Sequence, residues 1–426
     1  MIPSGYKQTE IGVIPEEWEI GTFKEWFDIL SNNTLSRADM NNDHGTIKNI
    51  HYGDVLIKLG EVTNVKTASL PFVNDIQKVK SASRLRDGDI IIADTAEDYT
   101  VGKATEVCDS NDDTVISGLH TIPVRPKEGL FEKGFLGYFY NSSVYHNQLL
   151  PLITGTKVSA ISKQGVSNTQ ILRPLHSEQK RIAEALSDVD GLISSLEKLI
   201  EKKKAVKQGA MQYMLTGKKR LPGFTGEWKD YIVGNIGDFY SGLSGKSKKD
   251  FDCGDARFIT FLNVLSNVKI DTSLLASVDV KDNESQNAVK KGDLFFNTSS
   301  ETPEEVGMCA VLDDEVENTY LNSFCFGYRL KDNKQNPLFL SYFFNGEIGR
   351  KIMSVLAQGA TRYNLSKNNF AETMINLPSK EEQIAIASIL SDMDSEIESL
   401  EKKLAKARQL KQGMMQQLLT GKIRLV

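Results

Sequence analysis

The chain has 426 residues and a mass of 47.4 kDa, enough for two or three domains with substantial cores. Hydrophobic residues make up 40% and charged residues 25%, proportions that exclude a collagen-like or disordered chain, and no apolar run approaches the roughly 18 residues a membrane helix needs. Lys plus Arg total 51 against 56 Asp plus Glu, a net charge of -5, so any contact with nucleic acid must come from local basic surfaces rather than from the overall field.

The opening Met1-Ile2-Pro3-Ser4-Gly5-Tyr6 lacks the basic-then-apolar pattern of a secretory signal, and a cytoplasmic protein is expected. Residues 1–173 then read as a mixed, strand-rich unit. Short apolar stretches such as "GDIIIAD" from Gly88 and "HTIPVRP" from His120 alternate with Gly, Asn and Asp turns. One amphipathic helix is predicted near 135–150. Residues 174–221 form a helical segment that opens just after Pro174 and stops at Gly217. Its apolar residues Ile182, Leu186, Val189, Ile193, Leu196 and Ile200 are spaced 4, 3, 4, 3, 4, a heptad seam.

Residues 222–377 return to strand-rich patterning ("GDLFFNT" from Gly292, "SFCFGYRL" from Ser323) with one helix predicted near 338–357. Residues 378–426 repeat the helical segment, with the seam Ile386, Leu390, Met393, Ile397, Leu400 and Leu404 and a stop at Gly421. Pro378 precedes this helix and Ser379-Lys380-Glu381-Glu382 reads as a capping box. The two helical segments align without a gap at an offset of 382 − 178 = 204, with about 25 of 44 positions identical. The same offset places Gly88-Asp89 over Gly292-Asp293, "FLGYFYN" from Phe135 over "FLSYFFN" from Phe339, and Ser162-Lys163 over Ser366-Lys367. Glu17-Trp18 resembles Glu227-Trp228. This is a duplicated domain-plus-helix unit, a fused-dimer pattern with approximate two-fold symmetry. The fold class expected is therefore α+β: two diverged strand-rich domains, each followed by a long helix. The alternative is that each helix merely covers its own domain's core, but two such seams in one chain are expected to pair with each other as an antiparallel coiled coil.

Catalytic motifs do not survive inspection. "GLSGKS" from Gly242 ends like a phosphate-binding loop, but its first glycine is three residues before Gly245 rather than five. "NPLF" from Asn336 lacks the second proline of an adenine methyltransferase motif and reads as a turn into a helix. The five histidines, His44, His51, His120, His146 and His176, all lie in the first half, and His44 and His51 have no partner set for a metal. Asp188 and Asp190 recur as Asp392 and Asp394 but sit on helices, as a solvated or partner-facing edge. Cys108, Cys253, Cys309 and Cys325 form no CxxC pair and read as reduced structural thiols.

What remains are polar, basic loops in equivalent places. "SNNTLSR" (31–37) carries Asn33 and Arg37, and "SGLSGKSKK" (241–249) carries Lys246, Lys248 and Lys249 as exposed lysines. "TGTKVSAISKQ" (154–164) carries Lys157, Ser159 and Lys163. "QGATRYNLSKNN" (358–369) carries Arg362, Tyr363, Asn364 and Lys367. Arg and Lys suit phosphates and guanine, and Asn, Ser and Tyr suit base edges. The residues alone leave two functions open: a DNA-binding module, or a scaffold that joins two protein partners through its helices without touching DNA.

The opening "GYKQTEIGVIPEEW", the central "AVKQGAMQYMLTGKKRLPGFTGEW" and the closing "KEEQIAIASILSDMDSEIESLEKKLAKARQLKQGMMQQLLTGKIRL" resemble type I restriction–modification specificity subunits. The resemblance spans the chain, is tight in the helical segments and loose in the strand-rich units. It implies that each strand-rich unit is a target recognition domain reading half of a split double-stranded DNA site, with the helices as an antiparallel spacer. It implies two modification subunits carrying S-adenosylmethionine for adenine-N6 methylation, and two restriction subunits using ATP and Mg. It implies no catalytic residue, cofactor, metal or membrane contact in this chain.

Overall fold

The computed structural model describes residues 2–110, 114–155 and 157–426. It resolves into two compact units: residues 1–197 with 402–426, and residues 198–401. The two long helices, His176–Met214 and Lys380–Leu418, each contribute one half to each unit.

In the first unit a five-stranded sheet runs in the order Phe27–Ile29, Thr121–Pro126, Ile90–Ala93, Ala104–Cys108, Val62–Asn64. All four residues of Ile90–Ala93 are buried. Ile90 and Ile92 face one core and Ile91 and Ala93 another, which is why "GDIIIAD" is continuously apolar instead of alternating. The second unit repeats the sheet with Gly237–Ser241, Cys325–Leu330, Leu294–Asn297 and Cys309–Val311. Its register keeps the same offset: Ile90 lies opposite Val124, and Leu294 opposite Tyr328. The fifth strand shrinks to a single bridge between Lys269 and Val311.

The single helix predicted near 135–150 is two, Phe135–Tyr140 and Ser143–Leu149, and that near 338–357 is Pro337–Asn345 and Glu347–Leu356. The break has one cause in both units. Asn141 turns its amide onto the Ala104 backbone (Nδ2 to O 2.7 Å, N to Oδ1 3.1 Å), and Asn345 does the same to Cys309 (2.6 and 3.0 Å). A side chain engaged with a strand edge competes with continuation of the helix. Asn336 does form the turn into the helix, accepting from the Phe339 N–H at 2.8 Å ahead of Pro337.

Both readings of the seams hold, in different parts of the helices. Ile182 and Leu186 join the first unit's core beside Leu418 and Leu419 of the other helix, and Ile386 and Leu390 join the second unit's core beside Leu215. Val189, Ile200, Ile397 and Leu400 are buried, whereas Ile193, Leu196, Met393 and Leu404 are half-buried. Within each unit the helix halves run antiparallel: Asp190 meets Lys411 at 2.7 Å and Glu197 meets Arg408 at 2.6 Å in the first, and Lys203 meets Glu396 at 2.6 Å and Lys204 meets Glu401 at 2.6 Å in the second.

Asp190 and Asp394 face partners and keep about a third of their side chains exposed, while Asp188 and Asp392 are solvated. Tyr138 donates its hydroxyl to Asp190 and Tyr342 to Asp394, both at 2.7 Å. Lys411 ion-pairs with Asp190 and lies over the Tyr138 ring, and Lys207 does the same with Asp394 and Tyr342. Burial, reinforced by the neighbouring carboxylate, pushes both phenols up and keeps them donors.

Beyond each helix a second cluster recurs. Arg424 grips buried Glu178 (2.6 and 2.9 Å) and also reaches Glu17 at 3.0 Å, while the Trp18 indole donates to Glu178 at 2.9 Å. In the second unit Arg220 takes both oxygens of Glu382 at 2.6 Å and lies over Trp228, whose indole N–H is left without a partner. This corrects the capping box: the Ser379 hydroxyl accepts from the Glu382 N–H at 3.4 Å, but the Glu382 carboxylate is spent on Arg220 and does not reach back. In the second unit Leu215 to Trp228 is one continuous stretch. In the first, the equivalent parts come from the two ends of the chain, and the Tyr6 hydroxyl donates to the Gly421 carbonyl at 2.9 Å.

The four cysteines are free, but Cys253 is exposed and Cys108 half-buried, so only Cys309 and Cys325 are core thiols. Among the described residues no helix is long and apolar enough to cross a membrane, and no group of three or more His, Cys, Asp or Glu side chains could hold a metal ion.

Candidate nucleic-acid interface

The loops singled out by composition form equivalent structures. Arg37–Asp39 is a single 3-10 turn in which Ser36 and Asp39 cap one another, and Lys248–Asp250 is the same turn capped by Ser247 and Asp250. Arg37 and Lys248 therefore occupy matching places, and Lys249 adds a second charge in the second unit. Lys248 and Lys249 are exposed. Arg37 holds buried Asp54 at 2.6 Å, with its side chain 45% exposed.

Asn33 and Lys246 serve the fold instead. Asn33 is buried; its amide donates to Asn49 Oδ1 at 2.7 Å and the Ser117 carbonyl at 2.8 Å, and its oxygen accepts from the Leu35 N–H. All its polar capacity is used inside, so it is not available as a base-edge reader. Lys246 is not an exposed lysine: its side chain is 6% exposed and pairs with Glu284 at 2.5 Å.

The second pair of loops forms hairpins. Ser159–Ala160 pairs with Thr95–Ala96, and Tyr363–Leu365 pairs with Ser299–Ser300 and Ala357–Gln358. Gly155 (φ +99°) and Gly359 (φ +137°) shape the tips; a Cβ there would lie 2.0 Å from the Val158 carbonyl oxygen and 2.1 Å from that of Arg362. Thr156 lies outside the described residues. Lys157 is exposed on the first hairpin and Arg362 on the second, one register position apart under the 204 offset. Ser159 and Tyr363 are half-buried, and Asn364 is exposed on its strand. Lys163 and Lys367 each follow the serine that caps a short helix, Ser162 and Ser366.

In the second unit these pieces converge. Lys367 reaches the Ser241 hydroxyl at 3.3 Å, at the head of the lysine loop, and Arg362 donates to Ser299 at 3.2 Å. In the first unit the turn and hairpin flank a cluster that composition did not reveal. His51 packs at a tilt against Tyr52, His120 meets the Tyr52 ring in a T-shaped contact, and His120 lies 3.2 Å from the Thr95 hydroxyl and 3.4 Å from Asp94. His120 adopts φ +54°, a left-handed conformation that a non-glycine residue adopts when its surroundings enforce it. Burial, then the charge of Arg37, pushes His51 down to about 4, so its Nδ1 accepts from the Gly53 N–H at 3.3 Å. The sequence carries the position but not the residue type: His120 stands 204 residues before Phe324, at the same strand junction.

At the opposite end of these strands Arg125 binds Asp89 through Nε (2.8 Å) and Nη2 (2.6 Å), and Arg329 binds Asp293 likewise (2.7 and 2.6 Å). This Arg–Asp clasp is thus repeated in both units while the loops differ in composition.

The family described as "Type I restriction modification DNA specificity domain" matches residues 15–208 and 225–409. The chain belongs to that family. It is a type I restriction–modification specificity subunit. A relative from the MjaX system of Methanocaldococcus jannaschii is 26% identical over 448 aligned residues, covering 99% of this chain and 97% of its own. The EcoKI specificity subunit of Escherichia coli K12 is 23% identical over 390 residues, covering 86% of this chain and 82% of its own. The crystal structure of the type I restriction–modification S subunit from M. genitalium superposes with a TM-score of 0.59 at 15% identity, covering 94% of this chain and 96% of that one, a likeness of fold.

Proposed function

We propose that this chain reads a split, asymmetric double-stranded DNA sequence, one half with each strand-rich unit, and presents it to adenine-N6 methyltransferase and restriction subunits in the cytoplasm. The observation that carries this is the pairing of a repeated frame with unequal loops: the same capped turn and glycine-shaped hairpin bear Arg37, Lys157 and Lys163 in one unit and Lys248, Lys249, Arg362 and Lys367 in the other. Basic side chains position the duplex and the polar residues beside them address base edges. A shared frame with different contact residues is what two different half-sites require. The paired helices then set the length of the unread gap. Two modification subunits bind, one per half, and carry S-adenosylmethionine; two restriction subunits use ATP and Mg. The chain's net charge of -5 leaves much of the phosphate contact to those partners.

The test is to express the chain with its methyltransferase subunit and map N6-methyladenine across the host DNA. A split motif with a fixed gap, lost on deletion of this chain, is the expected result. Methylation by an active methyltransferase that continues unchanged without this chain would overturn the proposal. Exchange of residues 1–173 for the same unit of a relative changes one half of the motif only.

A further inference from the structure

The junction between strands Thr319–Leu321 and Cys325–Leu330 carries an exposed aromatic ring at the middle of the second unit's basic surface. Phe324 is 57% exposed, although its backbone is tied on both sides. Its N–H donates to Asn322 Oδ1 at 2.8 Å and its carbonyl accepts from the Thr298 N–H at 2.9 Å. Thr298 also binds the hairpin, its carbonyl accepting from the Leu365 N–H at 2.9 Å. Phe324 therefore stands between the hairpin that bears Arg362 and the turn that bears Lys248. Ring and turn border one pocket of about 400 Å³, floored by Leu243, Phe251 and Phe258 and rimmed by Lys248.

A protein partner covering an exposed ring would be met by apolar neighbours around it. The neighbours on its rim are Asn322, Ser323, Ser247 and Lys248, while the apolar Leu243 and Phe258 lie buried and Phe251 half-buried on the pocket floor. An aromatic face among lysines and small polar side chains suits a nucleobase, which presents a π-face in any sequence, with the cations on the adjacent phosphates. The first unit provides an internal contrast. His120 holds the equivalent backbone position, with its carbonyl accepting from the Asp94 N–H at 3.1 Å, but its ring is engaged with Thr95 and Tyr52.

Resting on the DNA-reading function above, we propose that Phe324 is an apolar wedge of the second unit: its ring inserts at a base step of that half-site and stacks on the base it partly displaces, while His120 gives the first unit no such wedge. Wedges of this kind unstack a step and bend the duplex, and they read the deformability of the step as well as its edges. The two half-sites are then read by different physical means, one with local unstacking and one without.

The test uses the full chain assembled with its methyltransferase subunit and a duplex bearing the motif found by methylation mapping, with 2-aminopurine placed in turn at each position of both halves. Wild type is expected to brighten 2-aminopurine at one step of the second half besides the methylated adenine, and at no such extra step of the first. Phe324→Ala should abolish that signal and weaken binding roughly ten- to hundredfold, and Phe324→Trp should restore both. Unchanged fluorescence and affinity in Phe324→Ala would overturn the wedge. So would failure of Phe324→Ala to assemble with the methyltransferase while its melting temperature is unchanged, which would make the ring a protein contact. Absence of sequence-specific binding by wild type would instead overturn the DNA-reading function itself.

Discussion

Asp190 on the first long helix accepts a hydrogen bond from the Tyr138 hydroxyl at 2.7 Å and an ion pair from Lys411 at 2.7 Å. One carboxylate thereby fastens a strand-rich domain to both helices at once, and Asp394 repeats the arrangement with Tyr342 and Lys207. Asp190→Asn should lower the stability of the first unit by about 2 kcal/mol, the scale of charge-assisted hydrogen bonds. Asp394→Asn should do the same to the second. Urea denaturation of each variant measures it, and adding Lys411→Met to Asp190→Asn should deepen the loss, because Lys411 also pairs with Glu61 at 2.6 Å and its removal strands that carboxylate.

Arg424 is the last charged residue of the chain, and its partner Glu178 is 1% exposed. Arg424→Met leaves that carboxylate with only the Trp18 indole, and breaking a buried pair at one partner costs about 3 kcal/mol. Arg220→Met should destabilise the second unit comparably through Glu382. Calorimetry should show the lower transition moving in one unit for each variant.

Glu106 on strand Ala104–Cys108 is almost wholly buried, accepting from the N–H groups of Gly134 (2.6 Å) and Gly137 (2.8 Å). Burial outweighs those donors and pushes its carboxyl up to about 7. The folded chain then binds this proton more tightly than the unfolded one. Its contribution is fully present below the unfolded value near 4.5 and is lost as pH rises through about 7. Stability of the first unit should therefore fall between pH 5 and 7.5, by at most about 1.4 kcal/mol per pH unit, and Glu106→Gln should flatten that slope. The second unit has Ala310 at the aligned position and should not show it.

Phosphate contacts act on every DNA sequence alike. Replacing Lys248 and Lys249 with alanine should weaken binding to specific and non-specific duplexes together and reduce the salt slope of the assembled complex by about 2. Gly359→Ala should distort the hairpin that presents Arg362 and reduce binding to the second half-site, with little change in the melting temperature, because the hairpin tip lies outside the core clusters.

The frame was legible because its signals are periodic. The 4, 3, 4, 3, 4 spacing from Ile182 to Ile200 and the 204-residue offset survive any loop change, so helices, duplication and fold class are legible in the chain. The interface was legible only as loops. Composition cannot distinguish Asn33, whose amide is consumed by Asn49 and Ser117, from an asparagine free to meet a base. Nor can it show that Lys246 is consumed by Glu284. His120 and Phe324 are hidden for the opposite reason: they share a backbone position but not a residue type, so the repeated identities do not single them out. The helix break at Asn141 depends on a contact with Ala104, 37 residues away, which no local pattern contains.

The meeting of Tyr6 with Gly421, 415 residues apart, bears on the order in which the molecule is made. Every residue of the second unit has been synthesised once Glu401 is added, whereas the first needs residues 402–426 to complete its core with Leu418 and Leu419 and to bring Arg424 to Glu178. The domain translated first is thus the last that can finish folding. On the ribosome it must wait, its Trp18 and Ile182 surfaces uncovered, until the tail emerges, and during that interval the nascent chain depends most on chaperones.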